Sequence, residues 1–402
     1  MRELIVLAHV PTDTINEGFL PAAEALGLTV TLVTDCADAH RAHFAKTGLP
    51  AYPDAILGCD VFNPLAVLDL LTQRSGRPAA IFSNSDHLQS STAMVADYFD
   101  LPRKHWHITY RAKNKAEMRS RLRALDLDTL WHATVCDREA LADLGDLPFP
   151  VVAKPREGVA SLQVTLARDA QELRQQCDAV WSEHPGRPML VEEYIEGPLH
   201  TLETLGDGRA LAVLGGFRVE LSPPPNFIEF DAIWQPASAL DKHAAAVLEM
   251  IRALGVGFGA CHTEYVLTAK GPRLIEINYR SIGDYREFLL QDTLGIPLFQ
   301  TVLRLYLGEP LPPLVLSEHA AQIRYFVASE AGTVVQAPTA FTESDDKLRI
   351  SYQPLRAVND TFALTHSNKD YLGVLRGCGV DAAALATAMD RAAQRLSWEI
   401  KR

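Results

Sequence analysis

In RLIEINYR, Arg273 to Arg280, the residues Glu276, Asn278 and Arg280 are spaced by two, with Ile275, Ile277 and Tyr279 between them. In a β-strand that spacing sends a carboxylate, an amide and a guanidinium to one face and an apolar set to the other. The preceding stretch ACHTEYVLT, residues 260–268, alternates likewise and places His262 and Glu264 on a shared face. AKGP between them is a turn signal, so the two stretches read as a hairpin. Glu264 then lies beside Glu276 or beside Asn278, and either pairing leaves a three-residue loop. One sheet face collects Glu264, Glu276, Asn278 and Arg280. Two carboxylates and an amide oxygen are hard donors that suit Mg²⁺, and Mn²⁺ accepts the same set. An arginine two residues on can grip a phosphate by forked hydrogen bonds. Mixed charge is also ordinary on the solvent face of an antiparallel sheet, so this strand needs company before it implies catalysis.

Company is present upstream. Lys154 interrupts the apolar strand of FPVVAKPREGVAS, residues 149–161, and a lysine in such a run is uncommon. The turn REGVAS that follows, with Gly158 and Ser161, can fold backbone N–H groups over an anion. MLVEEYIEGP, residues 189–198, is an apolar strand running into Glu192, Glu193, Tyr194 and Ile195. It can offer backbone donors and acceptors to a purine and a carboxylate to a ribose. KNKAEMR, residues 113–119, carries Lys115 on a basic helix. Arg218, in GGFRVEL, is a candidate second clamp for a phosphate or a substrate carboxylate, although a surface arginine would look the same.

In this order the motifs resemble those of the ATP-grasp superfamily, over roughly residues 1–310, and most closely its carboxylate–amine ligase branch. That branch includes amino-acid ligases and the ligases of citrate-derived siderophore pathways such as vibrioferrin's. The resemblance implies ATP and Mg²⁺ as cofactors. It implies that Lys115 and Lys154 contact the phosphates, that the loop with Gly158 and Ser161 closes over them, and that Glu192, Glu193, Tyr194 and Ile195 line the adenine and ribose pocket. Glu264, Glu276 and Asn278 would hold the metal, and Arg280 would bind the transferring phosphoryl group. Family members often carry a glutamate after the Gly-Pro. Here the text is GPLHTLE, so Leu199 departs from the pattern and His200 and Glu203 remain as nucleotide or substrate neighbours. The implied reaction joins a small carboxylic acid to an amine through an acyl phosphate. A carboxylase subunit or another ATP-grasp enzyme, and a nucleotide-binding regulator without turnover, are the alternatives. Glu229, Asp231, Asp284, Tyr285 and Arg286 flank the hairpin and are candidates for reading a substrate's charge.

The elements that must position these groups are legible in outline. Residues 3–9, 28–35, 55–62 and 78–84 are strand-like runs with helical spacing at 16–26, 64–74 and 90–100, which predicts a parallel α/β sheet. The fold class expected is α/β and α+β: a parallel-sheet domain of the pre-ATP-grasp type over 1–108, a lid over 109–190, and an antiparallel-sheet core over 191–312 carrying the metal site. Residues 313–402 complete that core or form a small extra lobe. Helices are expected at 112–124, 169–182, 240–254, 286–306 and 381–398. The apolar segment 289–308 reads as core more readily than as interface, which leaves a homodimer as the alternative.

Bulk properties narrow the class. The 402 residues carry a formal charge of -12, a poor basis for nucleic-acid binding. No GxGxxG follows the first strand and no GxxxxGK[ST] occurs, which removes the main support for dinucleotide and P-loop chemistry. The six cysteines are scattered without a CxxC pair, which argues against a zinc site or a disulfide framework. No uninterrupted apolar stretch approaches membrane-spanning length, and the N-terminal run is short and lacks a cleavage signature. These features lead to the expectation of a cytoplasmic protein with small-molecule partners.

Overall fold

A computed structural model describes residues 2–49 and 51–402. The first sheet is parallel, with strands β1 (Glu3–Leu7), β2 (Thr29–Thr34), β3 (Ala55–Gly58) and β4 (Ala80–Phe82) in the order β3-β2-β1-β4. Its strands are nearly continuous Val, Ile and Leu because helices cover both faces. The chain leaves β1 and β4 in different directions, so their C-terminal ends open a crevice of the kind where α/β sheets bind ligands. Residues 8–14 and 83–88 form its lips.

The second sheet has four antiparallel strands, β5 (His132–Val135), β6 (Val151–Pro155), β7 (Thr165–Ala167) and β8 (Met189–Glu193), in the order β5-β8-β6-β7. Alternation sorts its faces. Val151, Ala153, Met189 and Val191 pack with Leu173, Cys177 and Val180 of the helix Ala170–Glu183. Val152, Lys154 and Glu192 turn to the other side and line a cleft.

The third sheet is antiparallel and nine-stranded: β9 (Leu199–Asp207), β10 (Leu211–Leu221), β11 (Glu229–Pro236), β12 (Phe258–Thr268), β13 (Gly271–Asn278), β14 (Ala320–Val327), β16 (Phe341–Ser344), β17 (Leu348–Pro354) and β19 (Tyr371–Gly379), in the order β13-β12-β9-β10-β11-β14-β19-β17-β16. Four of its strands come from the last ninety residues. A small sheet of β15 (Gly332–Gln336), β18 (Thr361–Phe362) and β20 (Glu399–Lys401) lies beside it. Helix Lys242–Leu254 packs on one face of the large sheet, Val247 and Ile251 meeting Leu202, Cys261, Leu274 and Ile277.

Two expected helices are broken. The 112–124 helix is two, Trp106–Lys113 and Lys115–Ala124, because Asn114 leaves helical geometry and caps the second, its side chain accepting from the Glu117 N–H at 3.2 Å. The 286–306 helix divides into Arg286–Thr293 and Leu298–Tyr306 at Gly295-Ile296-Pro297, where Gly295 takes a left-handed φ of 71°. The second piece is core: Leu298, Phe299, Val302, Leu303 and Leu305 are all buried against the parallel sheet's domain. The C-terminal helix is Ala382–Ala393 and stops short of 398, where strand β20 takes over.

Candidate active site

The hairpin of β12 and β13 brings Glu264 directly opposite Glu276 and His262 opposite Asn278. Its loop has two residues, Ala269 and Lys270, since Thr268 pairs with Gly271. The third loop residue expected from spacing is found further along as a bulge. Glu264 faces Glu276 while Tyr265 faces Leu274, leaving Ile275 as the extra residue. The bulge turns Ile275 into the cleft, where it joins Leu199, Leu221, Phe227 and Val266 as an apolar floor.

The cleft, of about 900 Å³, lies between the four-stranded sheet and the β13-β12-β9-β10 end of the large one. Lys115, Lys154, Gly158, Ser161, Glu192, Glu193, Tyr194, Ile195, Glu264 and Glu276 all line it. Its division into an apolar slot and a charged end suits a nucleotide. The backbone N–H groups of Glu193 and Tyr194 already donate to the carbonyls of Trp131 and Pro150, at 3.0 and 3.1 Å. Only part of the 192–195 backbone is therefore free to meet a base.

At the charged end, Lys115 is 3% exposed. Its Nζ donates to Glu276 Oε1 at 2.8 Å and to the Gly158 carbonyl at 2.9 Å, tying the glycine loop to the metal-type carboxylate. Burial works against its charge, but Glu276 outweighs it and the pKa is raised. The loop itself holds Ala160 and Ser161 at φ of 56° and 54°, a conformation that L-residues take up at a cost and that turns successive N–H groups one way. Lys154 sits opposite, its Nζ bonded to Glu192 Oε1. Glu192 also accepts from Arg119 Nε at 2.8 Å. Burial would raise the Glu192 carboxyl, yet Arg119 and Lys154 bring it down to about 2.

Glu192 thus serves two buried cations while lining the cleft. Arg119 is the residue that sequence reading passed over. It is among the largest fully buried side chains, and its Nη1 donates to the Leu274 carbonyl at 2.5 Å. Its spacing of four from Lys115 puts both on one helix face, which is the signal that could have found it.

Behind the carboxylate pair, His262 bridges Glu203 and Glu264, with Nδ1 2.8 Å from Glu203 Oε1 and Nε2 3.2 Å from Glu264 Oε1. Glu203 also accepts from Thr201 Oγ1 at 2.8 Å and is 3% exposed. It buttresses the site from within the sheet. His200 and Arg218 are placed elsewhere. They pair with each other across β9 and β10 and share the face opposite Leu199 and Val219. His200 stacks on Tyr265 and Arg218 is turned toward Glu220, so neither reaches the cleft. Asp231 likewise faces away, bonded to Gln322 and Arg324.

Glu229, Glu264 and Glu276 line the same cleft. Burial first, then the neighbouring Glu229 and Glu276 charges, push the Glu264 carboxyl upward against the opposing effect of His262. Crowded carboxylates of this kind fit a divalent cation, and the oxygen-only donor set fits Mg²⁺. Asn278, 6% exposed, stands two pairs further along the hairpin on the same face and is not part of the cleft lining. Arg280 lies beyond it, outside the cleft lining. Its Nη1 donates to the Ser281 carbonyl at 2.8 Å. It is also near Asp86, whose carboxyl burial would raise but which Lys113 and Arg280 bring to about 2. The crevice of the parallel sheet is docked here: Asn84 Oδ1 accepts from Ser281 N–H at 3.2 Å and from its hydroxyl at 2.5 Å. Glu229 is held by Arg286, and Asn368 Nδ2 donates to it at 3.3 Å. Tyr285 bonds Asp13, and Tyr325 donates to the Asp284 carbonyl at 2.7 Å.

No family model matches the chain. Among curated proteins it is 27% identical over 267 residues to an uncharacterized protein, y4rH, of Sinorhizobium fredii, covering 64% of this chain and 54% of the relative. It is 29% identical over 325 residues to carnosine synthase 1 of Gallus gallus, covering 74% of this chain and 34% of the relative. The chain therefore spans about half or less of these relatives' length. Among solved structures, an L-amino acid ligase from Bacillus licheniformis superposes with a TM-score of 0.80 at 20% identity, over 100% of this chain and 99% of that one. The biotin carboxylase domain of a Hydrogenobacter thermophilus 2-oxoglutarate carboxylase, solved with MgADP and bicarbonate, gives 0.72 at 15%, over 100% and 91%. These likenesses establish the fold. The expected fold class, a parallel N-terminal sheet followed by antiparallel sheets, is met, and the likeness of fold runs over the full length of the chain, beyond the residues 1–310 that the motifs covered.

Proposed function

We propose that this ATP-grasp chain is an ATP-dependent carboxylate–amine ligase. The observation that carries the reading is the convergence of Lys115, Lys154, the 156–161 loop and the Glu264–Glu276 pair on one cleft with an apolar slot at its far end. An oxygen of the substrate carboxylate attacks the γ-phosphorus of ATP in line, the bond to the ADP oxygen breaks, and an acyl phosphate forms. The amine then attacks the acyl carbon, loses a proton, and phosphate leaves. Such transfer asks a protein mainly for position and charge compensation.

Lys115 and Lys154 neutralise phosphate charge, and Arg280, at the edge of the cleft, binds the transferring phosphoryl group. The 156–161 loop keeps water from the acyl phosphate. Mg²⁺, or Mn²⁺, held by Glu264, Glu276 and Asn278 would draw off negative charge from the phosphate oxygens. The apolar floor of Leu199, Leu221, Phe227, Val266 and Ile275 receives the adenine.

The names of the similar proteins favour an amino acid on at least one side of the new bond. A place in siderophore biosynthesis finds no support among them. A carboxylase reading has the shared fold in its favour, and bicarbonate-dependent turnover would distinguish it. No described helix is long and apolar enough to cross a membrane. The six free cysteines support a reducing, cytoplasmic setting. A homodimer remains part of the proposal only through kinship of fold.

Hydroxylamine trapping tests the intermediate. With Mg-ATP and a carboxylic acid substrate, the protein should form the acid's hydroxamate. ADP release with an acid substrate but no hydroxamate would contradict the acyl phosphate.

A further inference from the structure

The loops that follow β1 and β2 bring together three side chains outside the nucleotide cleft. The two strands are parallel neighbours, with Leu7 beside Val33, and the Ala8 N–H donates to the Val33 carbonyl at 3.1 Å. Their C-terminal ends therefore finish level. His9 sits two residues past the end of β1, and Asp35 and Cys36 directly follow β2. His9 Nδ1 is 2.9 Å from both Asp35 carboxylate oxygens and 3.7 Å from Cys36 Sγ. Among the described residues this is the one group of three His, Cys, Asp or Glu ligand atoms that all lie within 4.8 Å of one another.

The fold holds this group from behind. The His9 carbonyl accepts from Thr34 Oγ1 and from Nε2 of His40, each at 2.8 Å, and His40 is fully buried. Thr34 Oγ1 also accepts from the Cys36 N–H at 3.0 Å, so one hydroxyl ties the two loops together. The Phe62 ring meets the His9 imidazole edge-on, with centroids 5.2 Å apart, and steadies its plane. The front is open. The side chains of His9 and Asp35 keep 41% and 27% of their surface exposed, and Cys36 is half-buried. An ion can therefore reach the three donor groups from solvent.

We propose that His9, Asp35 and Cys36 are the ligands of a zinc ion whose fourth position is left open to water. Imidazole, carboxylate and thiolate are ordinary donors to zinc, and closed structural sites use four of them where open sites use three. A neutral imidazole and two anions leave bound Zn²⁺ without net charge, and the ion replaces the proton that joins Nδ1 to Asp35. The spacing is close to what the ion needs. Tetrahedral zinc about 2.0 Å from nitrogen and oxygen and about 2.3 Å from sulfur sets nitrogen and sulfur roughly 3.6 Å apart, and nitrogen and oxygen roughly 3.3 Å apart. The sulfur is already in place, and Asp35 has only to withdraw by about 0.4 Å. Burial, then the Asp35 charge, holds the Cys36 thiol above its ordinary value, so zinc binding must release that proton. The sulfur also separates this site from the nucleotide cleft, whose oxygen donors suit Mg²⁺. Cysteine spacing argues against zinc because a CxxC pair builds its site within one loop, whereas two adjacent strand ends assemble this one.

The test titrates the full chain, reduced and freed of metal, with Co²⁺, whose absorbance reports its ligands. One equivalent should bind with the intense visible bands of a tetrahedral ion and a near-ultraviolet thiolate band. Zn²⁺ should abolish both, and excess Mg²⁺ should not. Cys36→Ser should lose the thiolate band. Cys36→Ser and His9→Ala should each weaken Zn²⁺ binding about 100-fold or more, since even the groups behind metal ligands are worth about 10–100-fold. Cys136→Ser, which alters an exposed cysteine elsewhere, should change nothing. A thiolate band that persists in Cys36→Ser, that disappears in Cys136→Ser or that Mg²⁺ removes would overturn the proposal, as would the lack of any such band in excess Co²⁺. Should a variant fail to fold, by circular dichroism, alkylation of the unaltered chain decides. Zn²⁺ should shield Cys36 from iodoacetamide, read by mass spectrometry, while Cys136 stays reactive, and equal modification of Cys36 with and without Zn²⁺ would contradict the site.

Discussion

Replacing Glu192 by glutamine separates two accounts of the nucleotide cleft. Glu192 is 3% exposed and accepts from both Arg119 and Lys154. Glutamine keeps the shape and one acceptor but leaves two buried cations without a counter-charge. Breaking a buried ion pair from one side costs about 3–5 kcal/mol. The titration gives a second route to the figure. The carboxyl falls from its ordinary 4.5 to about 2 in the fold, where burial is outweighed by Arg119 and Lys154, and that difference is worth about 3 kcal/mol. Because the folded pKa is the lower one, this stability is fully present above pH 4.5 and is lost as pH falls through 4.5 toward 2.

Urea unfolding at neutral pH, followed by tryptophan fluorescence, measures it, with Trp131 and Trp181 reporting from this lobe's core. Glu192→Gln should lower stability by about 3 kcal/mol, and its stability should fall less between pH 4.5 and 3 than that of the unaltered chain. With Lys154→Met as the second change, a double-mutant cycle should show coupling above about 1 kcal/mol. Stability within about 0.5 kcal/mol of the parent, together with a large loss of ATP affinity, would refute the reasoning and return Glu192 to the ribose.

Three further predictions follow from the placement of other residues. Glu276→Gln and Glu264→Gln should each cut Mg²⁺-dependent ADP release by roughly 100-fold or more, measured with a coupled ADP assay. His200→Ala and Arg218→Ala, on the far face of the sheet, should leave the Mg-ATP Kd within about twofold by calorimetry, as expected for surface changes away from a site. Ile275→Ala should weaken ATP binding by about 1–2 kcal/mol through lost apolar contact, while inorganic triphosphate, which has no base, should bind unchanged.

The parts of this account that were legible in the sequence share a physical basis. The Glu264–Glu276 pair follows from a period of two and a turn signal, and both are local. The same locality hides the bulge: a three-residue loop and a two-residue loop with one bulged residue have the same length, and only the second turns Ile275 into the cleft. His200 and Glu203 were both taken as site neighbours, yet residues three apart on a strand face opposite ways. That geometry was available from spacing alone. Arg119 was lost among solvated arginines because burial depends on what packs over a helix, here strand β13 through Leu274. The Arg286–Glu229–Asn368 linkage spans 139 residues, and no periodicity connects partners so far apart. Asn114, whose side chain breaks one helix and starts the next, was readable as a cap by residue type.

The central claim is tested most directly by ADP release from Mg-ATP, with the purified chain offered amino acids and other carboxylic acids, alone and together with amines. The account predicts release that requires both an acid and an amine and is lost in Glu276→Gln. Release driven by bicarbonate without an amine, or release unaffected by Glu276→Gln, would contradict it.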